Sequence, residues 1–295
     1  MTLRQFSKMR LRLYLFAIVL LSVACLAATW GKFNNITVGS SGGNVGKYNN
    51  VTIGTTTGNI GAFNTLTSPG GGGGSTWALV HPIVAQFCSS TATCAATITS
   101  TGANHVLAFG ISIYGPSGSD ISVSSVTCTG TACTGGNAFV KPAGCVSYDT
   151  TSLTGVTCGY MLGTGTSNGI TQISVTVANS YTAGVLFVGE YSWSGTTRAL
   201  DGGATPINTL LTASCGTNCN GPALTITGTR DFIFAWSTCY NNCTSVSPPF
   251  SDFTEDSSTG FAAADNLNTS SGAASVWQGN SGSAMYGGAI AFSGT

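Results

Sequence analysis

The chain has 295 residues, of which only 6% are charged and 42% hydrophobic, with nine basic and nine acidic side chains and two histidines. Soluble proteins usually carry about 25% charged residues, so Ser, Thr, Asn and Gly must form the surface. Beyond Ala28 five basic residues remain (Lys32, Lys47, Lys141, Arg198 and Arg230) against nine acids, a net −4. That balance excludes neutralising a row of phosphates, and with it a nucleic-acid partner. Hydrophobic residues in strand-length runs exclude a disordered chain.

The N-terminus sets the compartment. Arg4, Lys8, Arg10 and Arg12 precede the uncharged run Leu13–Ala28, within which Ser22-Val23-Ala24 and Cys25-Leu26-Ala27 offer small residues where a signal peptidase would cut. A basic region, a short apolar run and small residues form the layout of a secretory signal. Sixteen uncharged residues fall slightly short of the roughly 17–25 that span a bilayer. Residues 1–28 therefore read as an export signal, with a retained membrane anchor as the alternative. Either way the basic end stays in the cytoplasm and the rest lies outside, so the membrane is met only through this segment. Leu21-Ser22-Val23-Ala24-Cys25 is similar to a bacterial lipobox, in which Cys25 would become the lipidated first residue. Ser22 departs from the large apolar residue that pattern prefers, and Cys25 reads instead as discarded with the signal.

Ten cysteines remain, in neighbouring pairs: Cys88/Cys94, Cys128/Cys133, Cys145/Cys158, Cys215/Cys219 and Cys239/Cys243. An even count after export implies disulfides. Bonded cysteines hold their Cα atoms roughly 4.4–6.8 Å apart, so Cys215/Cys219 and Cys239/Cys243 need tight turns if bonded. The spacing of those four also approaches a four-cysteine zinc site. Export, the other local pairs and the lack of a nearby histidine favour oxidation.

Residues 29–68 form an arm with an internal repeat. GKFNNITVGSSGGNV, GKYNNVTIGTTTGNI and GAFNTLTSPG align at a period of fifteen. Phe33, Tyr48 and Phe63 share a column, as do Ile36, Val51 and Leu66, and Val38 and Ile53. Each unit is a short β run closed by Gly-rich turn residues, too small to bury its own apolar face. The units must stack on one another or on another copy of the chain, which makes those eight residues the expected self-association surface. They resemble the G-x-F-x-N-L-T-V repeats of phage tail-fibre shafts, and that resemblance implies β segments wound between chains. An export signal departs from the phage pattern. Residues 69–75, with five consecutive glycines, are a linker.

From Thr76 to Thr295 the pattern is β throughout. Runs at Trp77–Phe87, His105–Tyr114, Ile121–Thr127, Val156–Leu162, Ile170–Ala178 and Gly184–Trp193 are followed by Ala223–Thr227, Phe232–Ser237, Gly260–Ala264, Ala273–Gln278 and Ala284–Phe292. No stretch outside the signal shows helical periodicity with caps. The expected fold is all-β: an antiparallel β-sandwich, jelly-roll-like, with its cysteines pinning turns. Glu190-Tyr-Ser-Trp-Ser-Gly-Thr-Thr-Arg-Ala-Leu-Asp-Gly-Gly203 resembles the E-Y-S-G…L-D-G segment of β-sandwich domains in secreted and cell-surface bacterial proteins. HVLAFGISIY before it and DFIFAWST after it fit the same pattern, and Trp193 is an insertion relative to it. The resemblance implies a sandwich in an extracellular setting and carries no function.

Chemistry is sparse. His81 precedes a proline and His105 opens an apolar run, and both read as structural. Gly165-Thr-Ser-Asn-Gly169 spells a nucleophile elbow but leads into a strand where the elbow needs a helix. Glu190 lies, by alternation, on the face opposite Tyr191 and Trp193; buried, it would need a partner, and Arg198 is near in sequence. A glycosidase would need a second carboxylate at about 5–10 Å, for which Asp201 is available. Asp252, Glu255, Asp256 and Asp265 form an acidic cluster whose oxygens would suit calcium, without EF-hand spacing; no other cofactor is implied. Trp193, Trp236, Tyr240 and Trp277 would stack on surface glycans if exposed, although tryptophans in a sandwich are more often core. Asn35, Asn50, Asn242 and Asn268 begin glycosylation sequons. The expectation is a non-catalytic extracellular structural or adhesive protein that assembles through its arm, with a glycan- or receptor-binding module as the alternative.

Overall fold

The computed structural model describes residues 75–99, 101–130, 139–163, 169–212, 217–239, 243–279 and 285–295. The signal segment, the arm with Phe33, Ile36, Val38, Tyr48, Val51, Ile53, Phe63 and Leu66, and Tyr240 lie outside them.

The described residues form antiparallel sheets. In chain order the strands are β1 (Trp77–Thr97), β2 (Val106–Pro116), β3 (Val123–Gly130), β4 (Val146–Asp149), β5 (Thr154–Leu162), β6 (Ile170–Trp193), β7 (Arg198–Leu200) and β8 (Ile207–Thr212). They continue with β9 (Asn218–Asn220), β10 (Asp231–Thr238), β11 (Ser245–Val246), β12 (Ser251–Glu255), β13 (Ala262–Thr269), β14 (Val276–Gln278) and β15 (Met285–Gly294). The first sheet runs β1-β6-β2-β5-β4, with β3 also on β6. The second runs β12-β13-β10-β15-β7, with β8 also on β15, and β11-β14-β9 form a small third sheet.

Strand alternation, with side chains pointing to opposite faces at successive positions, sorts the apolar residues into three cores. Val185, Phe187 and Tyr191 of β6 meet Phe232, Phe234 and Trp236 of β10 and Ile290 and Phe292 of β15 between the two large sheets. Phe232 stacks on Tyr191 at 4.1 Å and on Phe292 at 4.7 Å between ring centroids. The intervening residues point the other way. Leu107, Phe109, Ile111, Ile113, Leu186 and Val188 pack under Cys94, Ala96, Ile173 and Val175 from the outer ends of β1 and β6. The first sheet therefore folds over on itself, at the register shift between Thr91 and Thr93. On the far side, Ile233, Ala235, Ala289 and Ala291 lie with Trp277 and Cys219 of the third sheet. HVLAFGISIY and DFIFAWST read as unbroken apolar runs because both faces of these strands are buried.

The structure merges the predicted strands at 170–178 and 184–193 into the single β6. Ala223–Thr227 is not a strand; it makes one isolated bridge, Thr205 to Thr225. Short β4, β7, β8, β9, β11 and β12 carry too few residues for a legible period. Cys88–Cys94, Cys145–Cys158 and Cys239–Cys243 are disulfides, with Cα separations of 5.6, 5.6 and 5.4 Å. Cys128 and Cys219 are disulfide-bonded as well, and Cys133 and Cys215 lie outside the described residues. Oxidation of Cys219, Cys239 and Cys243 removes the thiolates that a four-cysteine zinc site would need.

Candidate functional site

The chemistry-bearing side chains gather along the edge of the sandwich where β1 and β12 run side by side. β1 pairs with β6, but its register shifts between Leu79 and His81 and again between His81 and Val84, around Pro82. Bulges on an edge strand re-aim side chains and blunt the edge against further pairing. Here they turn His81 toward Glu190 on β6, leaving His81 Nε2 3.7 Å from Glu190 Oε2. From the other side His105 Nδ1–H donates to Glu190 Oε1 at 2.5 Å, and the Gly102 amide donates to the same oxygen at 2.8 Å. A Cβ on residue 102 would stand 2.2 Å from the His105 ring, so the loop admits this ring only because residue 102 is glycine. The Glu190 side chain is 4% exposed, that of His105 20% and that of His81 37%.

This corrects the expected partner of Glu190. Arg198 opens β7 in the second sheet, whereas Glu190 points away from that sheet, into the fold-over side of the first. Arg198 Nη2 donates instead to Gly163 O at 3.0 Å and Asn104 Oδ1 at 3.4 Å. The two histidines share one carboxylate, a convergence that their separation in sequence hid.

On the inner side of β1 a groove of about 560 Å³ opens between β1 and β12, within the roughly 300–1,000 Å³ range of small-ligand pockets. Leu79, Ile83, Phe253 and Leu267 supply its apolar wall, and His81 and Asp252 its charged or polar groups. Asp252 adopts a left-handed backbone, φ 49°, a conformation aspartate tolerates better than most residues. Behind it the Ser251 hydroxyl lies 3.0 Å from Asp252 Oδ2 and 3.2 Å from Asp265 Oδ1. Asp265 is fully buried. Burial first, and then the neighbouring Asp252 charge, push its carboxyl up to about 7. The Tyr191 hydroxyl faces that carboxyl across the core; burial and the Asp265 and Asp252 charges raise it well above the usual phenol range. Neither Tyr191 Oη nor Asp265 Oδ2 has a partner at hydrogen-bond distance.

A second carboxyl pair lies in the E-Y-S-G…L-D-G region. Asp201 accepts from the Gly203 amide at 2.7 Å, the Thr227 amide at 3.0 Å and the Thr227 hydroxyl at 3.1 Å. Asp231 Oδ2 accepts from the Gly228 amide at 3.1 Å. Burial pushes Asp201 up, but the donors from Gly203 and Thr227 outweigh it and hold the group below the usual carboxylate range. Asp231, buried and beside the Asp201 charge, rises to about 7. Both carboxyls are used in tying two turns together. Asp201 follows β7 of the second sheet while Glu190 faces the fold-over core of the first, so the structure does not bring the pair together as a glycosidase would require.

The remaining sequence candidates separate. Trp236 and Trp277 are 0% exposed and Trp193 8%, which removes them as a stacking row for sugars. Asp256 Oδ1 accepts from the amides and hydroxyls of Ser258 and Thr259 in its own turn, away from the Asp252–Asp265 pair. Among the described residues no three His, Cys, Asp or Glu side chains are placed to hold one metal ion. Gly169 leads straight into β6, which begins at Ile170. Asn268 is not a free sequon. Its Oδ1 accepts from the Trp77 amide at 2.7 Å and its Nδ2 donates to the Trp77 carbonyl at 3.0 Å, clipping the start of β1 to β13.

Comparison with protein-family models, with curated proteins and with solved structures finds no match for this chain.

Proposed function

We propose that the chain is an exported, non-catalytic structural or adhesive surface protein, in which the repeat arm at 29–68 joins copies and residues 76–295 form the displayed head. The observation that supports it best is how completely the head covers its own sheets. The central strands of the two large sheets, β2 and β5 in the first and β10 and β15 in the second, are buried on both faces by other layers of the same chain. The β1 and β12 edges are interrupted by bulges, with Pro82 in β1. A head whose central strands are covered and whose adjacent β1 and β12 edges are blunted supports assembly through another part of the chain. The arm, with its apolar columns repeating every fifteen residues, is the part whose faces need a partner. The disulfides suit an oxidising compartment outside the cell.

The test is light scattering and electron microscopy on the exported protein with and without residues 31–68. Oligomers or fibres should form with the full chain and give way to a soluble monomeric head on deletion. An oligomer that survives the deletion overturns the proposal. A monomer in both cases would favour the other reading, a ligand- or receptor-binding module on a spacer. For that reading the β1/β12 groove is the specific observation; His81 and Asp252 would hold a glycan or other polar ligand there in place of the buried tryptophans.

A further inference from the structure

The chain contains only two histidines, and both meet Glu190. Oε1 of this carboxylate is fully engaged by the His105 ring and the Gly102 amide. Oε2 is buried and has no hydrogen-bond partner. It borders a void of about 10 Å³, whose lining includes His81, Pro82 and Thr99. That is at the lower limit for a single water. A buried carboxylate oxygen with no hydrogen-bond donor is unfavourable, and the group that faces it, the His81 ring, stands 3.7 Å away, within ion-pair range.

The spacing indicates what belongs there. At 3.7 Å, His81 Nε2 and Glu190 Oε2 are too far apart for a hydrogen bond. A water bonded to both at about 2.8 Å would hold them about 4.5 Å apart. Two ligand atoms of a tetrahedral ion at about 2.0–2.1 Å stand about 3.4 Å apart, closest to the observed gap. One imidazole nitrogen and one carboxylate oxygen suit a divalent transition-metal ion. The carboxylate is already oriented from behind by His105 and Gly102, the arrangement that outer-shell groups supply at metal centres.

We propose that His81 Nε2 and Glu190 Oε2 are the two protein ligands of a divalent transition-metal site, with Zn²⁺ as its representative ion and solvent completing the coordination past the partly exposed His81. His105 and Gly102 are positioning residues. A bound ion would tie the bulged segment of β1 to β6 at the wall of the groove. The site is independent of whether the arm assembles copies.

The test uses the exported full chain, ¹⁵N-labelled, stripped with a chelator and titrated with Zn²⁺ while the imidazole ¹H–¹⁵N correlations are followed. With two histidines, His81→Gln assigns the spectrum. The His81 ring resonances should shift saturably, the His105 Nδ1 proton should remain hydrogen-bonded, and the unfolding midpoint should rise with Zn²⁺. In His81→Gln the Zn²⁺-dependent rise should vanish, judged against that variant's own metal-free midpoint, because the substitution also removes the 3.7 Å His81–Glu190 contact. Glu190→Gln, judged by its own metal-free unfolding curve, should weaken the shift at His81. No shift at His81 up to millimolar Zn²⁺, a shift at His105 instead, or stabilisation that survives His81→Gln would each overturn the proposal.

Discussion

Asp265 shows how one residue imposes a pH dependence on the whole domain. Its carboxyl is buried between the large sheets, bordered by Ser251, Asp252 and Tyr191, and titrates near 7 in the fold against about 3.9 in an unfolded chain. The folded state thus holds a proton that the unfolded state releases. Its favourable contribution is complete below about pH 4 and is lost as pH rises through 7, where forcing the charge into the core opposes folding by about 4 kcal/mol. Asp231 acts in the same sense over the same window. Asp201, held low, acts in the opposite sense and loses its contribution only below the ordinary carboxylate range. Chemical denaturation should therefore show stability increasing from pH 8 to pH 5. Asp265→Asn keeps an acceptor for Ser251 and cannot ionise, so it should stabilise the protein at pH 8 and flatten the rise. An unchanged slope in that variant would place the proton elsewhere.

At the scale of the strand, the glycines inside β2 and β15 are packing residues, not turns. Trp236 of β10 lies between Gly110 and Gly288. A Cβ on residue 110 would stand 2.2 Å from Trp236 Cδ2, and one on residue 288 the same distance from Cζ2. Trp236 is fully buried, so the indole cannot swing away without opening the core. Gly110→Ala should destabilise by about 1–3 kcal/mol through overpacking, measured by urea unfolding, and Trp236→Phe should recover part of that loss in the double variant. Additive losses would show that the two positions do not share the space. The strands themselves were legible in sequence because apolar runs bounded by Gly, Ser and Asn read as β wherever they fall. That these runs are buried on both faces was not legible, since the covering layers come from distant β3, β9, β11 and β14 and from the far ends of β1 and β6. The Glu190 cluster was hidden for the same reason. Sequence proximity offered Arg198, whereas pairing of β1 and β2 on either side of β6 brings in His81 and His105. Only the alternation that placed Glu190 opposite Tyr191 was readable beforehand.

For the whole molecule, three stacked cores raise the question of whether the layers unfold together. The fold-over layer depends on one bend in β1, between the regularly paired stretch at Val84–Thr91 and the displaced stretch at Thr93–Thr97. Cys88–Cys94 closes that bend, and Ser90 within it has a left-handed backbone, φ 51°. The disulfide contributes about 2 kcal/mol by loop entropy, and it does so where the outer ends of β1 and β6 must turn to cover Leu107, Phe109 and Ile111. The core between the large sheets uses none of the residues in the bend. Replacing both cysteines with serine should therefore loosen the cover layer before the sandwich. Native-state hydrogen exchange should quicken at Gln172–Thr176 of β6 and Val126–Cys128 of β3, while Phe232–Ser237 of β10 keep their protection. A uniform loss of protection across all three cores would instead show that the fold-over layer and the sandwich are one cooperative unit, with the bend as stable as the core beneath it.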